Sequence, residues 1–149
     1  MTTQTDTSTL NDLIAVLEDG RAFYSEAADK VDRGDLKALF GRMASTKKAI
    51  LTELRSRVAA TGDSPSDGSF AGSVRKTYAD LKARMSKDTD AEYIAQLEEF
   101  EDRILDEFRD ALQESDDVEV QALAAKYMPQ VQLDHDEMKA LKDAVGKGK

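Results

Sequence analysis

The residue best equipped for chemistry in this chain is its single histidine, His135, set in Gln132-Leu133-Asp134-His135. An imidazole among carboxylates is a ligand set for a divalent transition ion. Glu18 and Glu101 are the carboxylates that other helical segments would bring to it. Glu18, Glu101, Gln132 and His135 are therefore the residues through which iron or manganese would be held, with Asp134 as a further oxygen donor. The competing reading makes His135 a polar helix residue whose neighbours Asp134 and Asp136 raise its pKa. Other chemistries lack their residues. There is no cysteine, hence no disulfide, thiolate ligand or cysteine nucleophile. No Gly-rich phosphate loop, Ser-His-Asp arrangement or zinc-type spacing occurs.

These residues need a scaffold, and the composition supplies one. A chain of 149 residues makes one ordinary domain with a real core. Glycine, proline and aromatics are scarce, and the charged residues with Leu and Ala suit long helices. The formal net charge of -9 repels phosphate backbones and anionic lipid, so neither nucleic acid nor membrane is the expected partner. No apolar run approaches the roughly 18 residues of a membrane span. Met1 to Ser8 is Thr-rich, with neither a basic nor an apolar segment of a secretory signal. A disordered tail over residues 1–8 and a cytoplasmic protein are expected.

Apolar periodicity places the elements. Leu10, Leu13, Ile14, Leu17, Tyr24, Ala28 and Val31 predict a helix over 9–31, capped by Thr9 with Asp12. Gly20 lies inside it, either compensated by a close approach of another helix or simply tolerated at a cost of about 1 kcal/mol. Leu36, Leu39, Phe40, Met43, Ile50, Leu51, Leu54 and Val58 predict a helix over 35–60. Thr61 to Gly68, with Gly62, Pro65 and Gly68, is the clearest break. Phe70, Val74, Tyr78, Leu81 and Met85 then predict a short amphipathic helix over 69–86. Thr89 with Glu92 forms a capping box for a helix over 90–114 carrying Tyr93, Leu97, Phe100, Ile104, Phe108, Ala111 and Leu112. Asp116 with Glu119 opens the last helix, 116–145, carrying Val120, Leu123, Ala124, Tyr127, Val131, Met138, Leu141 and Val145. Pro129 predicts a kink there, Gly146 ends the helix, and 147–149 is a tail.

Short loop, long crossover, short loop is the connectivity of a ferritin-like four-helix bundle, two antiparallel hairpins joined by a crossover. The fold expected is thus all-α, one domain over 9–146. Charge is uneven along it. The third bundle helix carries ten acids against Arg103 and Arg109, while the second and the crossover helix are basic, which makes those two its expected neighbours. The tyrosines Tyr24, Tyr78, Tyr93 and Tyr127 fall on apolar stripes and read as packing residues with a bonded hydroxyl.

Leu10-Asn11-Asp12-Leu13-Ile14, Leu17-Glu18-Asp19-Gly20, Phe23-Tyr24-Ser25-Glu26-Ala27-Ala28, Asp35-Leu36-Lys37-Ala38-Leu39-Phe40 and His135-Asp136-Glu137-Met138-Lys139-Ala140-Leu141 resemble an uncharacterised bacterial family of ferritin-like four-helix-bundle proteins. The resemblance spans about residues 9–145. It implies a bacterial cytoplasmic protein linked to stress or stationary-phase physiology, with no established activity.

A carboxylate-bridged di-iron bundle takes one Glu from each of two helices and a Glu-x-x-His from each of the other two. Glu18 and Glu101 can supply the single glutamates. The second-helix motif falls at Lys47 and Ile50, or at Lys48 and Leu51, and either register sets a cation where a bridging anion belongs. The fourth-helix motif falls at Gln132 and His135, a histidine without its acid. No cofactor is therefore expected. A Lys47–Glu101 ion pair is expected in place of the metal, because an unpaired inward charge is too costly. The resulting expectation is a non-catalytic bundle acting through protein association, with a partner or as a homodimer, in a bacterial stress response. A metal-binding or oxidase relic using His135 and Glu101 is the first alternative. A carrier for a small apolar ligand near Pro129 is the second.

Overall fold

The computed structural model describes residues 7–60, 83, 85 and 89–147. Four helices make up nearly all of them: α1 Thr7–Lys30, α2 Gly34–Ala60, α3 Asp90–Glu114 and α4 Val118–Lys147. The described residues contain no strand, and the chain is an all-α four-helix bundle. The α1–α2 and α3–α4 hairpins are closely packed, and α1 also lies along α3.

Side-chain pairs fix the helix directions. Tyr24 meets Glu101 and Tyr93 meets Glu26, so α1 and α3 run antiparallel. Arg42 meets Glu137 and Lys126 meets Glu53, so α2 and α4 also run antiparallel. The Asp90 carboxylate accepts from the backbone N–H of Asp32 at 2.8 Å and of Arg33 at 3.2 Å. That ties the start of α3 to the α1–α2 turn, where α2 also starts. Consequently α2 and α3 point the same way, and Ala60 and Asp90 stand at opposite ends of the bundle. The expected helix over 69–86 lies outside the described residues apart from Ala83 and Met85, and Met85 packs against the core. Of the tail expected over 1–8, residues 1–6 lie outside the described residues, and Thr7 and Ser8 belong to α1.

The core forms because each helix presents apolar residues at spacings of three and four. Leu10, Leu13, Ile14, Leu17, Phe40, Leu54, Leu97, Ile104, Phe108, Val120 and Met138 are all buried. Burying one such side chain contributes about 1.5–3 kcal/mol. Phe23, which falls outside the expected stripe of α1, is fully buried and makes edge contacts with Tyr93 and Phe100, at 6.3 and 6.1 Å between centroids. It is buried because α1 touches two helices and so has a wider inner face than one stripe.

Several local expectations change. α1 begins at Thr7, so Thr9 lies within the helix. Thr89 caps α3 as expected, its hydroxyl accepting from the Glu92 N–H at 3.3 Å. At α4 the cap is Asp117 in place of Asp116, since Asp117 Oδ1 accepts from the Glu119 N–H at 2.9 Å. α4 continues unbroken through Pro129 and past Gly146 to Lys147. The basic α2 is not the lateral neighbour of acidic α3. Its surface cations pair instead with α1, through Arg55–Glu18, and with α4, through Arg42–Glu137 and Arg57–Glu119. Loop length explains this: each short turn seats α2 and α3 beside their own hairpin partners, and surface pairs worth fractions of a kcal/mol do not override that.

Candidate functional site

One cation lies in the middle of the bundle. On α2, Leu36, Phe40, Met43, Ile50 and Leu54 form a ladder of alternating four- and three-residue steps, and Lys47 fills its missing rung. Lys47 is 2 % exposed. Its Nζ donates to Glu101 Oε2 at 2.9 Å, across the bundle diagonal, and lies 3.4 Å from Asp134 Oδ2 on α4. The ammonium also stands 4.7 Å above the Tyr24 ring. From α1, the Tyr24 hydroxyl donates to the same Glu101 oxygen. Gln130 Nε2 donates to the second Asp134 oxygen at 2.8 Å. All four helices thus contribute to one buried polar cluster.

Packing shapes the space around it. A Cβ on Gly20 would lie 3.4 Å from Lys47 Cε, 3.4 Å from Phe100 Cε1 and 3.1 Å from Ile104 Cδ1. Of the two readings of Gly20, a close approach and a merely tolerated glycine, the structure has the close approach, and the lysine stem runs through the room it leaves. Burial and the adjacent Glu101 and Asp134 carboxylates push the Tyr24 phenol well above its ordinary pKa, so it remains a hydrogen-bond donor. Glu101 Oε1 is buried with no hydrogen-bond partner among the described residues.

The residues named as metal candidates do not converge. Glu18 accepts from Arg21 at 2.6 Å and Arg55 at 2.5 Å. Burial opposes ionisation of Glu18, but the two guanidiniums outweigh it and hold the carboxyl below its ordinary pKa. Glu101 faces Lys47 and Tyr24. Gln132 Nε2 donates to Asp136 Oδ1 at 2.9 Å. His135 lies toward α3, with Nε2 2.5 Å from Asp102 Oδ1 and Nδ1 3.1 Å from Asp136 Oδ1. Asp134 points to Lys47 and not to His135. The imidazole pKa is raised: burial works against the charged ring, and Asp136 and Asp102 overcome it. Lys48, the other register considered, is exposed and lines a surface cleft with Glu18, Arg21 and Arg55.

The central donor set does not fit a pair of divalent ions. It offers two carboxylates and a protonated phenol, with an ammonium between the carboxylates where positive metal charge would otherwise lie. Bridged metals require anionic oxygens at the bridging positions, and the α2 side chain that reaches this point is a lysine.

Asp134 was missed as an interior residue because the apolar spacing does not single it out. Tyr127, Val131, Met138, Leu141 and Val145 step by four, seven, three and four, and the gap of seven is divided equally well by Asp134 (three and four) and by His135 (four and three). An acid on an apolar ladder reads as solvated until a partner for it is identified. Tyr24, Tyr93 and Tyr127 each donate a hydroxyl hydrogen bond to a glutamate on another helix: Glu101, Glu26 and Glu53. Tyr78 lies outside the described residues.

No curated protein matches this chain. A family described as a domain of unknown function (DUF2383) matches residues 6–114, a span that holds Gly20, Tyr24, Lys47 and Glu101 and stops before α4. With that match over most of its length, the chain belongs to the DUF2383 family.

Proposed function

We propose that this protein is a ferritin-like bundle without catalytic metal chemistry at its centre, acting through association with a protein partner or with itself in the cytoplasm of a bacterium under stress. The observation that carries the non-catalytic reading is Lys47 Nζ between Glu101 and Asp134. An ammonium in that position supplies internally the positive charge that the carboxylates require. Parallel α2 and α3, each beginning at the α1–α2 turn, support the ferritin-like assignment, as does the sequence resemblance. Three surface clefts bounded by described residues are lined mainly by charged side chains, which suits surface recognition.

The test compares wild type with Glu101→Gln. Divalent metal binding should be the same in both, and neither should oxidise Fe(II) faster than buffer. Metal lost on Glu101→Gln, together with Fe(II) oxidation by the wild type, would overturn the non-catalytic reading. Light scattering over a wide concentration range and amide exchange in cell extract address association. A monomer with no added protection in extract would remove that part of the proposal.

A further inference from the structure

Outside the central cluster, one group of side chains has the composition of a mononuclear cation site. Glu98 and Asp102 lie one helical turn apart on α3, on one face. His135 reaches them from α4. One ligating atom from each of the three lies within 4.8 Å of the others. One imidazole nitrogen and two carboxylate oxygens suit a first-row divalent ion.

The surroundings of the histidine point the same way. A metal-binding histidine usually presents one ring nitrogen to the ion and donates its other N–H to a carboxylate that fixes the ring. Here Nε2 faces Asp102, while Nδ1 faces Asp136 Oδ1 at 3.1 Å. Asp136 is held in turn by Gln132 Nε2 on the same oxygen, at 2.9 Å. This outer layer leaves Nε2 directed at the α3 carboxylates.

Two of the three groups are set into the surface and the third opens to water. Glu98 is 7 % exposed, the His135 side chain is 14 % exposed, and the Asp102 side chain is 45 % exposed. The charge balancing Glu98 is Lys142, 3.1 Å away on a side chain 47 % exposed, which can swing into water when a cation arrives. A cleft of about 310 Å³ adjoins Asp102 and His135 and gives an ion and its remaining water ligands a route in.

We propose that Glu98, Asp102 and His135 form a mononuclear site for a first-row divalent cation such as Mn(II), Co(II) or Zn(II). Binding replaces the proton on His135 Nε2, which leaves to solvent, and displaces Lys142 from Glu98. Asp136 is a positioning residue that orients the ring. The site is separate from the central cluster and does not depend on it.

Because His135 is the chain's one histidine, its ring resonances report on this site alone. Titrating wild-type protein with Zn(II) should shift them to saturation at one equivalent. Mn(II) binding by calorimetry should show the same stoichiometry. His135→Gln and Asp102→Asn should each weaken Mn(II) binding by more than about tenfold, and Asp136→Asn by about tenfold. Lys142→Ala should retain the site, and helical circular dichroism should be unchanged in all four variants. Ring resonances that stay fixed at several equivalents of Zn(II) would overturn the proposal without any variant. So would Mn(II) binding that is unaltered in His135→Gln but lost in Glu107→Gln/Asp110→Asn, which would place the ion in a second cleft, lined by Asp12, Glu107, Asp110 and Glu114.

Discussion

Gly20 on α1 and Lys47 on α2 share one space: a Cβ on the glycine would lie 3.4 Å from the lysine Cε and 3.1 Å from Ile104 Cδ1. The absent side chain is what lets the lysine stem pass between α1 and α3 to Glu101. Two effects then compete in Gly20→Ala. Removing a mid-helix glycine gains about 1 kcal/mol, and the Ile104 methyl must yield by a few tenths of an ångström. The expected net change is under about 1 kcal/mol. Gly20→Val, with two further methyl groups against Phe100 and Lys47, should destabilise by about 1–3 kcal/mol. Urea unfolding midpoints of the two variants check this.

The central ion pair should respond asymmetrically to mutation. Lys47→Met leaves Glu101 and Asp134 facing each other without a cation, and removing one partner of a buried pair costs about 3–5 kcal/mol. Lys47→Met/Glu101→Gln removes the pair together and should recover part of that loss. The double-mutant cycle should give a coupling energy above about 1 kcal/mol. Additive single effects would mean that the two side chains do not interact energetically.

Acid should weaken one inter-helix contact selectively. Lys126 and Tyr127, in the third turn of α4, donate to Glu53 and hold its carboxyl down from 4.5 to about 2. A depressed carboxylate pKa stabilises the fold above the unfolded value of 4.5 and loses that contribution as pH falls toward 2. Glu53→Gln should therefore be less stable than wild type at pH about 7, and the gap should narrow as pH approaches about 3. Unfolding midpoints for both proteins across that range measure it. A gap independent of pH would assign the effect to packing.

The lock between the α1–α2 turn and the start of α3 should be separable from the cap of α3. Asp90→Ala removes the acceptor for the Asp32 and Arg33 amides, so amide exchange at those two residues should accelerate. Thr89→Ala removes the acceptor for the Glu92 N–H and should cost about 1 kcal/mol, without exposing the Asp32 and Arg33 amides. Hydrogen exchange by NMR distinguishes the two variants.

Sequence alone determined the four helices and the Thr89 cap, and pointed to the pairing of Lys47 with Glu101. Each follows from a local period or from a rule about what a bundle interior tolerates, and an inward charge must find its opposite. Sequence alone could not choose between Asp134 and His135 for the inner face of α4. Adjacent residues on a helix differ by about 100°, and apolar neighbours at three and four on either side accommodate both. The tertiary structure decided it, because α4 touches α2 on one side and α3 on another. The side toward α2 carries a buried lysine, which draws in Asp134, and the side toward α3 carries Asp102 and Glu98, which receive His135. The same logic displaced the charge-based pairing of α2 with α3. Whole-helix charge is a sum over all faces, whereas helix neighbours are set by loop length and by the one face that is buried.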